Sequence, residues 1–346
     1  MRRNMLADLP CKECGDCYEQ EAAGFASMRN NSNKNFGQYI DEIDQTLPDG
    51  SLPDMRFHYW DVRFSNICNL KCRICGSWSS SKWAEEELAY MPKEFNKKEH
   101  IAYKWLKDGA WPRKSEVFWD NLKTLLPNIK YFEFTGGEPF LIEQHFDLLR
   151  YAVENDYAKN IEIHYNTNGT VFPDSHNLWS HFKHVEIAFS IDDLGARFEY
   201  QRTNAQWKEV VENIGKFKQI RARNTNITLQ SCCTINIFNV YYLETVANWI
   251  MEQGFDFNYW NMMHDAYYFS IATLPTPAKT VIAERLRTAN VPAQVKEEFN
   301  RIAEFMINGN SLEDAHLLKM NLKDLDFKRQ QALANVMPEL ATVIGL

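Results

Sequence analysis

Residues 68–75 read CNLKCRIC and follow directly on YWDVRFSNI at 59–67. The apolar alternation over 57–65 predicts a strand, so the cysteines, spaced C-x3-C-x2-C, leave its end on one tight loop. Three thiolates presented this way can ligate three irons of a cubane cluster and leave the fourth iron open to a substrate or cofactor. A structural zinc site is the competing reading. It asks for four ligands, usually as two separated pairs, and no fourth ligand lies nearby in the sequence.

Composition limits what else the chain can be. With 346 residues, 45% of them hydrophobic, it can bury a large core. Its 38 basic and 46 acidic residues leave a formal net charge of −8, which argues against broad binding to nucleic acid or to an anionic membrane. MRRNMLADLP is basic without an apolar run behind it, and no later stretch approaches the ~20 apolar residues of a membrane span, so a cytoplasmic protein is expected. Six of the eight cysteines fall in two tight clusters, a pattern of metal ligation rather than of disulfides.

Apolar alternation predicts six strands, at 57–65, 130–135, 161–167, 185–191, 226–235 and 255–261. Helical patterns lie between them at 79–90, 115–126, 141–154, 175–183, 206–220 and 239–252. Strand and helix in alternation mean α/β: a parallel sheet covered by helices, here six units forming a partial (β/α)6 TIM-like barrel over 56–270. Residues 1–55 form a polar, cysteine-bearing N-terminal segment, and 271–346, set off by LPTPAK, read as a C-terminal helical region.

Strand parity places one set of side chains inward. Glu162, His164 and Asn166 face the lumen from one strand, Glu186, Ser190 and Asp192 from the next. Gln230, Cys232, Thr234 and Asn236 follow, with Trp260 beyond them. A polar lumen suits a polar ligand, whereas a filled barrel core is made of branched apolar residues. The other reading is an open sheet whose polar face meets solvent. His164 and Cys232 are the candidate catalytic groups, and Glu162, Gln230 and Trp260 the candidate substrate contacts.

CNLKCRIC resembles the cluster motif of the radical S-adenosylmethionine (SAM) superfamily. FTGGEPFL at 134–141, NTNG at 166–169 and FSIDDLGARFEYQR at 189–202 follow in that superfamily's order. The one small departure is Ile74, where an aromatic residue often stands. The resemblance implies a [4Fe–4S] cluster on Cys68, Cys72 and Cys75 whose open iron chelates S-adenosylmethionine. One electron then yields methionine and a 5′-deoxyadenosyl radical, which abstracts hydrogen from a substrate. It assigns cofactor binding to Gly136, Gly137, Glu138, Pro139, Asn168, Ser190, Asp192, Arg202 and Asn236. Gly136 and Gly137 would admit the methionyl amino group close to the main chain, and Arg202 would take its carboxylate. A reducing donor such as a flavodoxin or ferredoxin is implied as a partner.

The stretch PCKECGDCYEQEAAGFASMRNNSNK at 10–34 resembles the segment preceding the barrel in twitch or SPASM-like relatives, and LDFKRQQALANVMPEL at 325–340 resembles their tail. Such relatives often modify peptides, so a peptide or protein side chain is the expected substrate, with a nucleotide or sugar-like small molecule as the alternative. A noncatalytic iron–sulfur or zinc module is the reading from another class. Cys11, Cys14 and Cys17 would hold a second iron–sulfur cluster, with Cys11 as a substitute ligand and Cys232 as a further one if the lumen opens onto that site. A small zinc site or a metal-free knot remains the alternative. Further cysteines usually lie upstream in these relatives, so the start is expected to be truncated or the auxiliary site incomplete.

Overall fold

The computed structural model describes residues 1–22, 27–109, 115–263, 266–309 and 315–345. Two compact units divide the chain, Met1–Tyr59 and Trp60–Leu346.

The first unit is built of short helices. Arg2–Leu6 and Gly15–Ala22 precede Met28–Phe36, which Ser27 opens with a reciprocal capping box to Asn30. Glu21 accepts from Ser27 Oγ at 2.5 Å and pairs with Arg29, tying that cap to the preceding helix. Cys11 is buried, and its thiol donates to the carbonyls of Met1 and Leu9 at 3.7 and 3.8 Å.

The second unit is an α/β sheet of six strands that lie side by side in chain order, with helices between consecutive strands. These are β1 Tyr59–Arg63, β3 Tyr131–Thr135, β4 Glu162–Thr167, β5 His184–Ser190, β7 Ile227–Ile235 and β8 Phe257–Met262. Every pairing from β3 to β8 is parallel. Parallel neighbours need a crossover, and the helices supply it. The architecture is that of a partial barrel, and each of the six strands lies within two residues of its sequence-based bounds. Two further strands, β2 Lys71–Cys72 and β6 Arg202–Thr203, form an antiparallel pair of their own.

Side-chain alternation is clean in β4, where Ile163 and Tyr165 are buried while Glu162, His164 and Asn166 are only partly so. Tyr165 shows which face the buried set occupies. Its hydroxyl lies 3.1 Å from Nε2 of His145, on the helix Glu143–Glu154, and its ring stacks against Phe134. On the opposite face His164 meets Glu186, as parity requires.

Strand β8 departs from that reading. Trp260 lies edge-on to Phe299 of the helix Ala293–Asn308, so it faces the helical layer and not the lumen. The register pairs Cys232 with Tyr259 and Thr234 with Asn261, which puts Tyr259 and Asn261 on the lumen face. Aromatic residues stand on both parities of FNYWNM, so alternation could not choose between them, and one residue of register decides the face.

The C-terminal helices belong to the same unit and reach the cysteine loop. Arg73, between Cys72 and Cys75, is wholly buried. Its Nε donates to the carbonyl of Tyr200 at 3.0 Å, and Nη2 donates to Asp326 at 2.6 Å and to Gln331 at 2.8 Å. The Tyr200 hydroxyl donates to the same Asp326 oxygen, and the guanidinium stacks on the Tyr200 ring at 3.7 Å. Arg329 pairs with buried Glu86, which also binds Lys71, so both residues flanking Cys72 are anchored to this tail. Removing one partner of a buried ion pair strands the other's charge. Asp326→Ala is therefore expected to lower the unfolding free energy by about 3 kcal/mol, read from urea denaturation. A loss below about 1 kcal/mol would show that Arg73 does not depend on the tail.

Candidate functional site

All the motif loops leave the C-terminal ends of the parallel strands, where ligands bind in barrels of this kind. The cysteine loop follows β1, the Gly136–Pro139 turn follows β3, Asn168 follows β4, Asp192 follows β5 and Asn236 follows β7. No disulfide links these cysteines.

Sulfur atoms in the loop face N–H donors. The Leu70 amide donates to Cys68 Sγ at 3.4 Å and Asn168 Nδ2 at 3.9 Å. Arg202 Nη1 donates to Cys72 Sγ at 3.7 Å. Burial, and then the neighbouring Cys72, pushes the Cys68 thiol far above its ordinary value, and burial pushes Cys72 up against the pull of Arg202. Thiols this reluctant to ionise become thiolates when a metal centre draws off their protons. Among the described residues no three Cys, His, Asp or Glu side chains converge on one metal ion. A cubane asks for a different arrangement, each thiolate on its own iron, and the donor set fits that chemistry.

Arg202 is the electrostatic centre. It is 8% exposed, and its Nε and Nη2 donate to Asp192 Oδ2 at 2.9 and 2.6 Å. Burial opposes its charge, but Asp192 and the Cys72 sulfur outweigh burial and hold the guanidinium above its ordinary value. Asp192 spends its other oxygen on the amide of Thr234, at 2.9 Å, so it joins β5 to β7. Main-chain pairing of Arg202 with Cys72 in the β2–β6 ladder fixes the pair beside the cysteine loop.

The glycine turn works on the protein itself. A Cβ on Gly137, at φ +61°, would stand 2.3 Å from the carbonyl oxygen of Ile67, next to Cys68. Glycine there lets the turn close on the cysteine loop, and the Glu138 amide donates to that same carbonyl at 2.8 Å. The Glu138 carboxylate is fully buried and accepts from the Phe140 amide, Thr167 Oγ and the Asn168 amide at 3.3, 2.8 and 2.8 Å. Pro139 is buried behind it at the start of a short 3-10 turn. Glu138 and Pro139 thus hold the turn, and Asn168 passes that order on to Cys68 and Asn69.

The remaining expected contacts are spread along the strands. Ser190 lies opposite Cys232 in the β5–β7 register. Cys232 receives Asn261 Nδ2 at 3.1 Å, and burial pushes its thiol up to about 11. His164 sits lower in the barrel, 3.0 Å from Glu186, which also accepts from Tyr131 at 3.1 Å. Glu186 is four residues before Ser190, about 13 Å down the strand, so this network lies well below the cysteine loop. Asn236 is fully buried. Its side chain donates to the Thr234 carbonyl and accepts from the Phe238 amide, so it shapes the turn after β7. Arg73, Asp326, Glu86 and Arg329 escaped sequence reasoning. The only local hint was a pair of basic residues inside the cysteine motif.

This is a partial α/β barrel with a three-cysteine loop gathered against a glycine turn and a buried Arg–Asp pair at its C-terminal mouth. Residues 62–239, just over half of the chain, match the Radical SAM superfamily, and the chain belongs to it. It is therefore an enzyme of that superfamily, which implies a [4Fe–4S] cluster and S-adenosylmethionine. Among solved structures it is similar to native anSMEcpe with bound AdoMet and a Cp18Cys peptide, at 19% identity and TM-score 0.44, covering 66% of this chain and 58% of that one. It is also similar to SuiB of Streptococcus suis bound to the precursor peptide SuiA, at 14% identity and TM-score 0.43, covering 95% and 63%. The chain spans about three fifths of the length of these structures. No curated protein matches it. No helix among the described residues is long and apolar enough to cross a membrane.

Glu138 gives this site a pH signature. Burial raises its carboxyl to about 7 from an ordinary value of 4.5, despite the three donors around it. A group bound more tightly to its proton in the folded state stabilises below the unfolded value and loses that contribution as pH rises through the folded one. The parent is expected to lose stability relative to Glu138→Gln between pH 4.5 and 7, on the order of 3 kcal/mol. Parallel stability curves for the two proteins would show that the carboxyl ionises as freely in the fold as in the unfolded chain.

Proposed function

We propose that Cys68, Cys72 and Cys75 hold a [4Fe–4S] cluster, and that the enzyme uses it with S-adenosylmethionine to abstract hydrogen from a peptide or protein side chain. The observation that carries this reading is the convergence of the cysteine loop, the Gly137 turn and the Arg202–Asp192 pair on one strand-end face. When bound, the cofactor pair supplies reductive cleavage of a sulfonium bond and the radical that follows from it. The chain supplies position. Asn168 and the Leu70 amide orient Cys68, and Arg202 Nη1, the guanidinium nitrogen that Asp192 does not take, balances the Cys72 thiolate and the carboxylate of the methionyl group. The main chain at Gly136 and Gly137 receives its amino group. Ser190 and Cys232 face the lumen beneath.

A peptide substrate is supported by the resemblance of CKECGDCYEQE to relatives that modify peptides. The half-buried polar row Glu162, His164, Asn166 and Glu186 favours the second reading, a nucleotide or sugar-like small molecule in the lumen. On either reading a flavodoxin or ferredoxin delivers the electron. Cys11, Cys14 and Cys17 are the ligands we assign to an auxiliary cluster in a twitch-like N-terminal unit.

Anaerobically reconstituted protein given S-adenosylmethionine and dithionite is expected to release 5′-deoxyadenosine, and the triple variant Cys68→Ala, Cys72→Ala, Cys75→Ala to release none while still folded. Undiminished yield from that variant would sink the assignment. Iron analysis of the matching Cys11, Cys14, Cys17 variant should show loss only of iron beyond the roughly four atoms of one cubane. Arg202→Ala is expected to weaken S-adenosylmethionine binding roughly tenfold or more, because a charge-assisted contact contributes about 1.5–3 kcal/mol. Equilibrium binding at parent affinity would remove Arg202 from the cofactor site.

A further inference from the structure

A groove of ≈ 400 Å³ runs along the outer side of the cysteine loop, lined by Arg63, Asn66, Trp78, Ile101, Lys104 and Trp105, with Asp108 and Gly109 at one end. Three large apolar side chains are exposed along it. Trp78 is 40% exposed, Ile101 55% and Trp105 38%. Such an aromatic patch on a soluble surface is a feature of interaction sites, and Trp is the residue type most enriched among binding hot spots.

The groove is physically continuous with the cysteine motif. A Cβ on Gly76 would stand 2.0 Å from ring carbon Cζ3 of Trp78, so the indole lies directly on the residue that follows Cys75. The opposite wall, Asn66, is fixed to this loop from the other side. Its side chain donates to the Ser77 carbonyl at 2.9 Å, its own carbonyl accepts from the Ser81 amide at 2.6 Å, and its amide donates to the Gly109 carbonyl at 3.3 Å. An object seated in the groove therefore contacts, through Trp78, the immediate neighbour of a cysteine ligand.

Charge selects the occupant. Arg63 and Lys104 line the groove, and Lys107 follows one helical turn on. All three are exposed, and among the described residues none is engaged in an ion pair. Among the described lining residues only Asp108 opposes them. On a chain of net charge −8, this is a local cationic field around an aromatic centre. It complements a small acidic protein, and electron-transfer encounters sit at the small end of interface sizes, below about 1,200 Å², and use charge for steering.

We propose that this groove is the docking site of an acidic one-electron donor protein of the flavodoxin or ferredoxin kind, with Trp78 as the contact nearest Cys75. The inference rests on the proposed cluster at Cys68, Cys72 and Cys75. The exchange balances simply: the donor is oxidised by one electron, the cluster is reduced by one, and no bond is made or broken.

The test uses reconstituted full-length protein and a purified acidic flavodoxin in its hydroquinone form, with cluster reduction followed by stopped-flow absorbance. Lys104→Glu and Trp78→Ala are measured beside the parent, each with flavodoxin and with dithionite. Reduction by flavodoxin is expected to slow roughly tenfold in Lys104→Glu at low salt, with the gap closing as salt rises, and to slow in Trp78→Ala at every salt. Dithionite, too small to need the groove, should reduce all three proteins alike. Parent rates with flavodoxin in both variants would overturn the docking site. Equal slowing with dithionite would also overturn it, by placing the effect in the fold of the cysteine loop. A preparation with no dithionite-reducible cluster would overturn the cluster assignment, and the docking site with it.

Discussion

The buried guanidinium of Arg202 is the constraint around which the mouth of the barrel is arranged. A charge at 8% exposure needs electronegative neighbours, and here they come from two parts of the chain: Asp192 after β5, and the sulfur of Cys72, with Cys75 at longer range, in the loop after β1. Asp192 in turn is pinned by the Thr234 amide of β7. Removing the arginine would leave a buried carboxylate without its counter-charge, so the arrangement stands or falls as a unit.

Two further devices bring the remaining strand ends to the same place. Gly137 allows main chain to touch main chain at Ile67, an approach that any Cβ would block. Glu138 then spends its buried carboxylate on donors from the end of β4, so the turns after β3 and β4 move together. The C-terminal tail completes the frame from outside, with Asp326 and Arg329 seating the residues on either side of Cys72. The cysteine loop is thereby fixed by contacts drawn from nearly the whole length of the second unit. A loop meant to hold a reactive centre in one geometry benefits from such support, because small displacements of reacting groups cost large factors in rate.

The same residues divide the surface into two kinds of environment. Inside, polar side chains along β3, β4 and β5 hydrogen-bond to one another, as Tyr131, His164 and Glu186 do. Outside, behind the loop, Trp78 and Trp105 lie among cations that no carboxylate engages among the described residues.

The sequence by itself determined the alternation of strand and helix, the six strands of the sheet, the parity of β4, β5 and β7, and the ordered set of motifs that marks the superfamily. These are local properties: period-two hydrophobicity and short spacings are written in neighbouring residues. Trp260 was misplaced because β8 carries large residues on both faces, and only pairing with β7 chose between them. Gly137 and Glu138 also make contacts that the sequence did not show, since each meets a main-chain group that comes close only in the fold. Arg73 shows the limit most plainly. Its partner Asp326 lies 253 positions away, and neither residue carries a local signal for the other. Tertiary structure alone decides such pairs, because the energy of a buried charge depends on what packing brings within a few ångströms and not on what precedes or follows it in the chain.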